Sequence, residues 1–337
     1  MSKVFIHVSN DKRLRNNQLF NLNIDPNLSV FVKLREYLRS MHVSLDTLEV
    51  KNADKADLII FHDIPYTEPE ILVSLSTIKT KKVLFIYEPP IVNPFNYLKF
   101  FHRVFDRVYT WNDSLVDNKK YYKFNICMSQ QGLNTTRKPY GSKKLLVVVN
   151  GNKLPFLPFN TIASFGKELY SQRLAGIEYF EQSIPNDFEL WGKGWNRPRK
   201  HSIQDNLFGP TIHPSYRGPV EDKLELLSRF RFCLCFENLT NVDGYITEKI
   251  FDCFKAKCIP IYWGADNVTD YIPRSCFIDY RDFMDFGKLL SFLQSMDTYV
   301  YEEYIDNIED LLKNKSFFNM WFENGCIKSI SNVIASL

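Results

Sequence analysis

No apolar run in the 337 residues approaches the roughly 18 that a membrane helix needs. The longest candidates, such as Leu145 to Val149, are strand-sized. The N-terminus lacks the apolar core of a signal peptide and reads as a first strand, so the sequence points to a cytoplasmic protein with no integral membrane segment. Neither sign of charge dominates: 42 basic against 39 acidic residues leave +3, too mild and too evenly spread for a nucleic-acid partner. Phosphate-binding glycine loops are also missing. Gly192-Lys193-Gly194 follows a strand but meets Arg197 at the third position of G-x-G-x-x-G, and no Walker-type loop exists. There is no well-placed D-x-D metal motif. Of seven cysteines, Cys233, Cys235, Cys253 and Cys258 allow a four-thiolate site on paper. Their spacing departs from the usual C-x₂-C pairs and their neighbours are core-like, so buried reduced thiols and no metal are expected.

What is present is a long alternation of β-rich runs and helical stretches, the pattern of parallel α/β sheets. Strands are predicted at Val4–Val8, Ala56–Phe61, Lys82–Tyr87 and Arg107–Trp111. In the second half they fall at Lys144–Asn150, Phe188–Trp191, Arg231–Phe236 and Cys258–Trp263. Helices are predicted near Leu28–Met41, Glu70–Thr80, Lys167–Phe180, Glu221–Arg229 and Thr247–Lys257. A polar stretch broken by Pro139 and Gly141, from Gly132 to Lys144, reads as a linker. The organisation expected is an N-terminal domain over 1–140, a C-terminal domain over 141–315 and a helical segment over 316–337. That last segment carries Phe318, Trp321 and Phe322 on one stripe, suited to packing near the domain junction or to docking on a membrane surface or partner.

The chemistry concentrates in Phe230 to Gly264, FRFCLCFENLTNVDGYITEKIFDCFKAKCIPIYWG. A buried strand ends in Glu237 and Asn238, a turn-rich loop follows, and Thr247 offers a helix N-cap. Tyr245, Glu248, Lys249 and Asp252 form one polar face, while Ile246, Ile250 and Phe254 form the opposite stripe. A helix N-terminus with a lysine and a tyrosine hydroxyl suits a nucleoside diphosphate, and a carboxylate can accept both ribose hydroxyls. On position alone an ordinary exposed helix fits as well.

CFEN, GYITEK and IPIYWG together resemble the donor-binding signature of the α-1,3-fucosyltransferases, glycosyltransferase family ten. ELYSQRLAGIEYFEQ (Glu168–Gln182), FELWGKGWN (Phe188–Asn196) and YIPRSCFIDYRDF (Tyr271–Phe283) agree, and IYEPP (Ile86–Pro90) is the landmark in the first half. The resemblance implies a GT-B fold, α/β with two Rossmann-like doubly wound domains facing across a cleft, the first binding the acceptor and the second GDP-fucose. It implies an inverting transfer to an acceptor oligosaccharide with no cofactor required. Carried onto this chain, donor contacts fall on Arg173, Asn238, Tyr245, Glu248 and Lys249: Glu248 on the ribose, and Lys249, Tyr245 and Arg173 on the diphosphate. The catalytic base falls on Glu88, where strand KKVLFIY ends and Pro89-Pro90 turns the chain. Leu239 stands where the family often has serine, and the loop before Tyr245 is one residue longer. Another GDP-sugar, or a nucleotide-sugar-binding protein without turnover, is the alternative. Acceptor choice is expected in the loops around Asn10–Asn27 and Tyr66–Glu70.

Overall fold

The computed structural model describes residues 2–8, 11–24, 28–48, 50–154, 166–199 and 202–335. Contacts divide the chain into two compact units, 1–130 with 315–337, and 131–314. In the first unit β1 (Ser2–Val8), β2 (Val43–Thr47), β3 (Leu58–His62), β4 (Lys81–Ile86), β5 (Arg107–Thr110) and β6 (Tyr121–Lys123) form one sheet in the order β2-β1-β3-β4-β5-β6. Every pairing is parallel, with Ile6 opposite Ile60, Phe61 opposite Leu84 and Phe85 opposite Tyr109. Side chains alternate between faces at the period of a strand. Val4, Ile6, Ile60 and Phe85 meet Leu34 and Leu38 of helix α1 (Ser29–Ser40). Ile59, Phe61, Leu84 and Val108 meet Ile71 and Leu72 of helix α2 (Pro69–Ser76) on the other. Strands buried on both faces are continuous apolar runs, which is why they were legible in the sequence.

The second unit holds a five-stranded parallel sheet. Its members are β7 (Lys144–Val149), β9 (Phe188–Trp191), β10 (Phe230–Phe236), β12 (Ile259–Trp263) and β13 (Ile278–Asp279), in the order β13-β12-β10-β7-β9. A two-stranded antiparallel ribbon pairs β8 (Lys167–Glu168) with β11 (Leu239–Thr240). The helix expected from Lys167 therefore starts later, as α3 (Tyr170–Ser183), because its first residues are used in that ribbon. Leu239 is buried in it. Further helices are α4 (Ile203–Phe208), α5 (Lys223–Ser228), α6 (Glu248–Lys255), α7 (Phe286–Ser295) and α8 (Thr298–Lys313). The stripe Ile246, Ile250 and Phe254 is fully buried, as its spacing predicts.

The C-terminal helices α9 (Lys315–Trp321) and α10 (Glu323–Ala335) belong to the first unit. Trp321 and Phe322 are buried, and the Trp321 carbonyl accepts a hydrogen bond from the Met128 amide at 2.8 Å. Ile327 and Ile330 complete the core beside β1 and β3. Glu323 is fully buried and accepts from Ser29 Oγ at 2.5 Å and from Lys33. Trp321 and Phe322 thus pack inward on their own unit, while Phe318 is half-buried. Among the described residues no helix is long and apolar enough to cross a membrane. Of the loops assigned to acceptor choice, Asn10 and residues 25–27 lie outside the described residues; Glu68 pairs with Lys12 at 3.2 Å and with Arg15.

Candidate functional site

β10 carries no charge along its last five residues and then delivers Glu237 and Asn238 at its carboxyl end, where parallel sheets place ligands. Glu237 is completely buried. An isolated carboxylate there would be prohibitively costly, so its partners matter. Its Oε1 accepts the Thr247 amide at 2.8 Å and the Thr247 hydroxyl at 2.9 Å. Its Oε2 accepts the Lys249 ammonium at 2.8 Å. Thr247 does sit at the N-cap of α6, but its hydroxyl makes no cap bond and turns to Glu237 instead. That corrects the capping role expected of it. The amides at the start of α6 are left without a side-chain cap.

Lys249 is held by Glu237 and by Thr247 Oγ1 at 3.0 Å. An ammonium has three donors, so one remains. Burial works against its charge, but Glu237 and Glu248 outweigh burial and raise Lys249 above the ordinary lysine range. Glu248 lies 3.9 Å from Lys249 with 58% of its side chain exposed. Desolvation pushes its carboxyl up, while Lys249 and then Lys223 push harder and hold it at about 2. Solvent screens so exposed a group, and the consequence that survives screening is that Glu248 is ionised at neutral pH. Asp252, placed on the same face by spacing, is turned to Lys223 at 2.8 Å and Lys255 at 3.5 Å.

Arg173 comes from the first turn of α3 and is 4% exposed. Its Nη2 donates to the carbonyls of Phe236 at 2.9 Å and Glu237 at 3.0 Å, and reaches Asn238 Oδ1 at 3.5 Å. Its buried Nε has no hydrogen-bond partner. Burial lowers its guanidinium from the ordinary value, with Tyr170 and Glu237 offsetting part of that. Arg173 also lines a cavity of about 180 Å³ with Asn152, Lys153, Ser171 and Trp195. Asn238 Nδ2 lies 3.5 Å from the hydroxyl of Tyr245, itself buried. Gly264 closes the cluster: a Cβ there would stand 2.6 Å from Glu237 Cγ and 2.4 Å from the Tyr262 hydroxyl, so only glycine lets these chains approach.

The structure therefore gathers Arg173, Asn238, Tyr245 and Lys249 around the end of β10, with Glu248 beside them at the surface. Glu237, at their centre, carried no assigned role in the sequence reading. Its signal was present, a lone carboxylate ending an apolar strand ten residues before a threonine and twelve before a lysine. Glu88 stands in the first unit, exposed, just past the carboxyl end of β4. Its amide donates to Asp63 Oδ1 at 3.2 Å, and its carbonyl accepts from the Tyr97 hydroxyl at 3.0 Å.

Among the described residues no group of His, Cys, Asp and Glu is arranged to hold a metal ion. Cys233, Cys235, Cys253 and Cys258 are buried free thiols. Hydrogen bonds from its neighbours, Cys233 first, together with burial, raise Cys253 well above the ordinary thiol value.

Two parallel-sheet α/β units are the architecture of the GT-B fold. Solved structures agree on that fold. A crystal structure of an α1,3-fucosyltransferase with GDP superposes with a TM-score of 0.52 at 17% identity, covering 90% of this chain and 81% of the other. An α-glucosyltransferase in complex with UDP and DNA gives 0.59 at 12% identity, over 99% and 100%. Residues 195–325 match the model of the glycosyltransferase family 10 (fucosyltransferase) C-terminal domain. The α-(1,3)-fucosyltransferase FucT of Helicobacter pylori is 34% identical over 135 residues, 39% of this chain and 27% of that protein. The mouse α-(1,3)-fucosyltransferase 4 is 36% identical over 143 residues, 42% and 32% respectively. The matched segments thus span about a third or less of these relatives' own length.

Proposed function

We propose that this chain transfers L-fucose from GDP-fucose to an acceptor glycan, at the 3-OH of N-acetylglucosamine, with inversion at the anomeric carbon. The observation that carries the reading is the buried cluster at the end of β10. There Arg173 and Lys249 are both fixed in place, and the buried Arg173 Nε has no hydrogen-bond partner in the protein. A buried donor without an acceptor calls for a ligand. A diphosphate supplies acceptor oxygens, and the uncapped start of α6 adds amides and a positive dipole end.

In this reading Glu237 acts as the anchor that aims Lys249, and Tyr245 and Asn238 complete the phosphate contacts. Glu248, ionised and exposed beside Lys249, takes the ribose hydroxyls. Glu88 of the first unit removes the proton from the acceptor hydroxyl as that oxygen bonds to the anomeric carbon. The bond from that carbon to the GDP oxygen breaks, and the electron pair leaves with GDP. Charge grows on the β-phosphate as it departs, where Arg173 and Lys249 stabilise it without reorganising. Side-chain cations fill the role, so the scheme calls for no metal.

The fold does not choose the donor, since a structure of the same fold at 12% identity was solved with UDP. The choice of GDP-fucose rests on the family match and on the α1,3-fucosyltransferases among the relatives. The test is GDP release from GDP-fucose with and without N-acetyllactosamine. Release that depends on the acceptor supports the reading. Tight GDP binding without release would point to a nucleotide-sugar-binding module, and turnover of a different GDP-sugar would correct the donor.

A further inference from the structure

Asp63 follows β3 directly and is 3% exposed, yet no part of the donor cluster involves it. Three donors converge on its Oδ1: the Tyr87 amide at 2.8 Å, the Glu88 amide at 3.2 Å and Asn96 Nδ2 at 2.7 Å. Asn96 is itself fully buried. Its Nδ2 also reaches the Glu88 carbonyl at 3.2 Å, and its Oδ1 accepts the Ile64 amide at 2.8 Å. Trp111 Nε1 donates to the Tyr87 carbonyl at 3.2 Å, and the Tyr87 ring stacks on His62 at 3.8 Å between centroids. The peptides on both sides of Glu88 are thus tied down from β3, from the end of β5 and from the 93–97 turn, while Glu88 itself is exposed.

We propose that Asp63 is a positioning residue for Glu88, its carboxylate fixing the Tyr87–Glu88 backbone so that the Glu88 side chain is presented from a rigid mount. This rests on the reading of Glu88 as the base. A fold that merely needed two amides satisfied at a surface turn could leave them to water. Here they are met by a buried carboxylate, which is costly to desolvate. Asp63 also adopts φ 65°, the left-handed region, which adds backbone strain. Two unfavourable features kept together at one residue are accounted for if the position of Glu88 matters.

Two titratable side chains face Asp63 among the groups around it. The His62 imidazole lies 3.8 Å away and is pulled down to about 4 by burial, so it is neutral near pH 7. The Tyr97 phenol is raised well above its ordinary value, by burial first and then by Asp63 and Glu88. Neither neutralises the carboxylate. Burial accordingly lifts Asp63 to about 6, with the Tyr87 and Glu88 amides holding it from rising further.

The test uses Asp63→Gly, Asp63→Asn, Asn96→Ala, Glu88→Gln and the Asp63→Gly/Glu88→Gln double variant. Glycine tolerates the left-handed backbone, so the first removes the carboxylate without adding strain. Asparagine keeps an Oδ1 acceptor. We expect Asp63→Gly to speed hydrogen exchange at the Tyr87 and Glu88 amides at least tenfold. It should lower kcat for GDP release from GDP-fucose with N-acetyllactosamine by roughly ten- to a hundredfold, the scale of a misplaced catalytic group. GDP affinity should stay as in the wild type, Asp63→Asn should restore most of both effects, and Asn96→Ala should give a smaller version of them. In the Glu88→Gln background Asp63→Gly should cost no further kcat. Wild-type exchange at the two amides in both Asp63→Gly and Asn96→Ala overturns the mount. So does an equal kcat loss with and without Glu88. Full kcat in Glu88→Gln alone instead overturns the base reading, and with it the catalytic purpose of the mount.

Discussion

Glu237 and Glu88 occupy equivalent places, just beyond the carboxyl end of a buried parallel strand, one in each unit. They end up in opposite states. Glu237 is fully buried, with both carboxylate oxygens engaged by Thr247 and Lys249. Glu88 is exposed, and its backbone is held by Asp63, Asn96 and Tyr97. The residues that follow decide the difference. After Glu237 the chain returns within twelve residues with a hydroxyl and an ammonium at the start of α6. After Glu88 two prolines turn it away, and the nearest polar anchors are Asp63, Asn96 and Tyr97 aimed at peptide groups. One glutamate is an interior anchor that organises cations. The other is a carboxylate presented on a tethered turn.

The comparison can be broken most severely at Glu237. Glu237→Ala should destabilise the second unit by about 3–5 kcal/mol, the usual cost of stranding one half of a buried ion pair. Urea denaturation measures this, and near-wild-type stability would show that Glu237 is no anchor. Next is the pH dependence contributed by Asp63. Burial raises its folded value from 3.8 to about 6, so the folded state holds that proton more tightly than the unfolded chain does. Stability from this group is therefore fullest below about 4, declines as pH rises to about 6, and is flat above. The decline should be on the order of 2–3 kcal/mol. Asp63→Asn should flatten it, and an unchanged slope would remove Asp63 from the account.

Smaller effects sharpen the donor side. Arg173→Ala should weaken GDP binding by tenfold or more, about 1.4 kcal/mol or above, measured by calorimetry. Glu248→Gln should move stability at pH 7 by no more than about 0.5 kcal/mol, because the group is more than half exposed. A larger loss would mean that Glu248 belongs to the anchor and not to the ligand face.

Much of the fold could be read from the chain because strands buried on both faces leave continuous apolar runs, as in FRFCLCF and KLLVVV. The strands that escaped are those without such runs: VSLDT of β2, half polar at an edge, YYK of β6, and the two-residue β8, β11 and β13. Tyr245 and Lys249 stood out by the spacing around GYITEK, and Arg173 only through the resemblance; the structure brings them together with Asn238 at the end of β10. Glu237 was visible only as a residue at a strand end, since its importance lies in partners ten and twelve positions on. Asp63 gave still less signal. In FHDIPY it looks like an ordinary strand terminus, and its partners lie 24, 25 and 33 positions away.

The measurement that tests the central division most directly sets GDP affinity beside kcat in Glu88→Gln and Lys249→Ala, with GDP-fucose and N-acetyllactosamine. The account predicts that Glu88→Gln binds GDP as the wild type does while kcat falls about a hundredfold or more. It predicts that Lys249→Ala loses GDP affinity itself. Undiminished kcat in the first variant, or undiminished GDP affinity in the second, would contradict it.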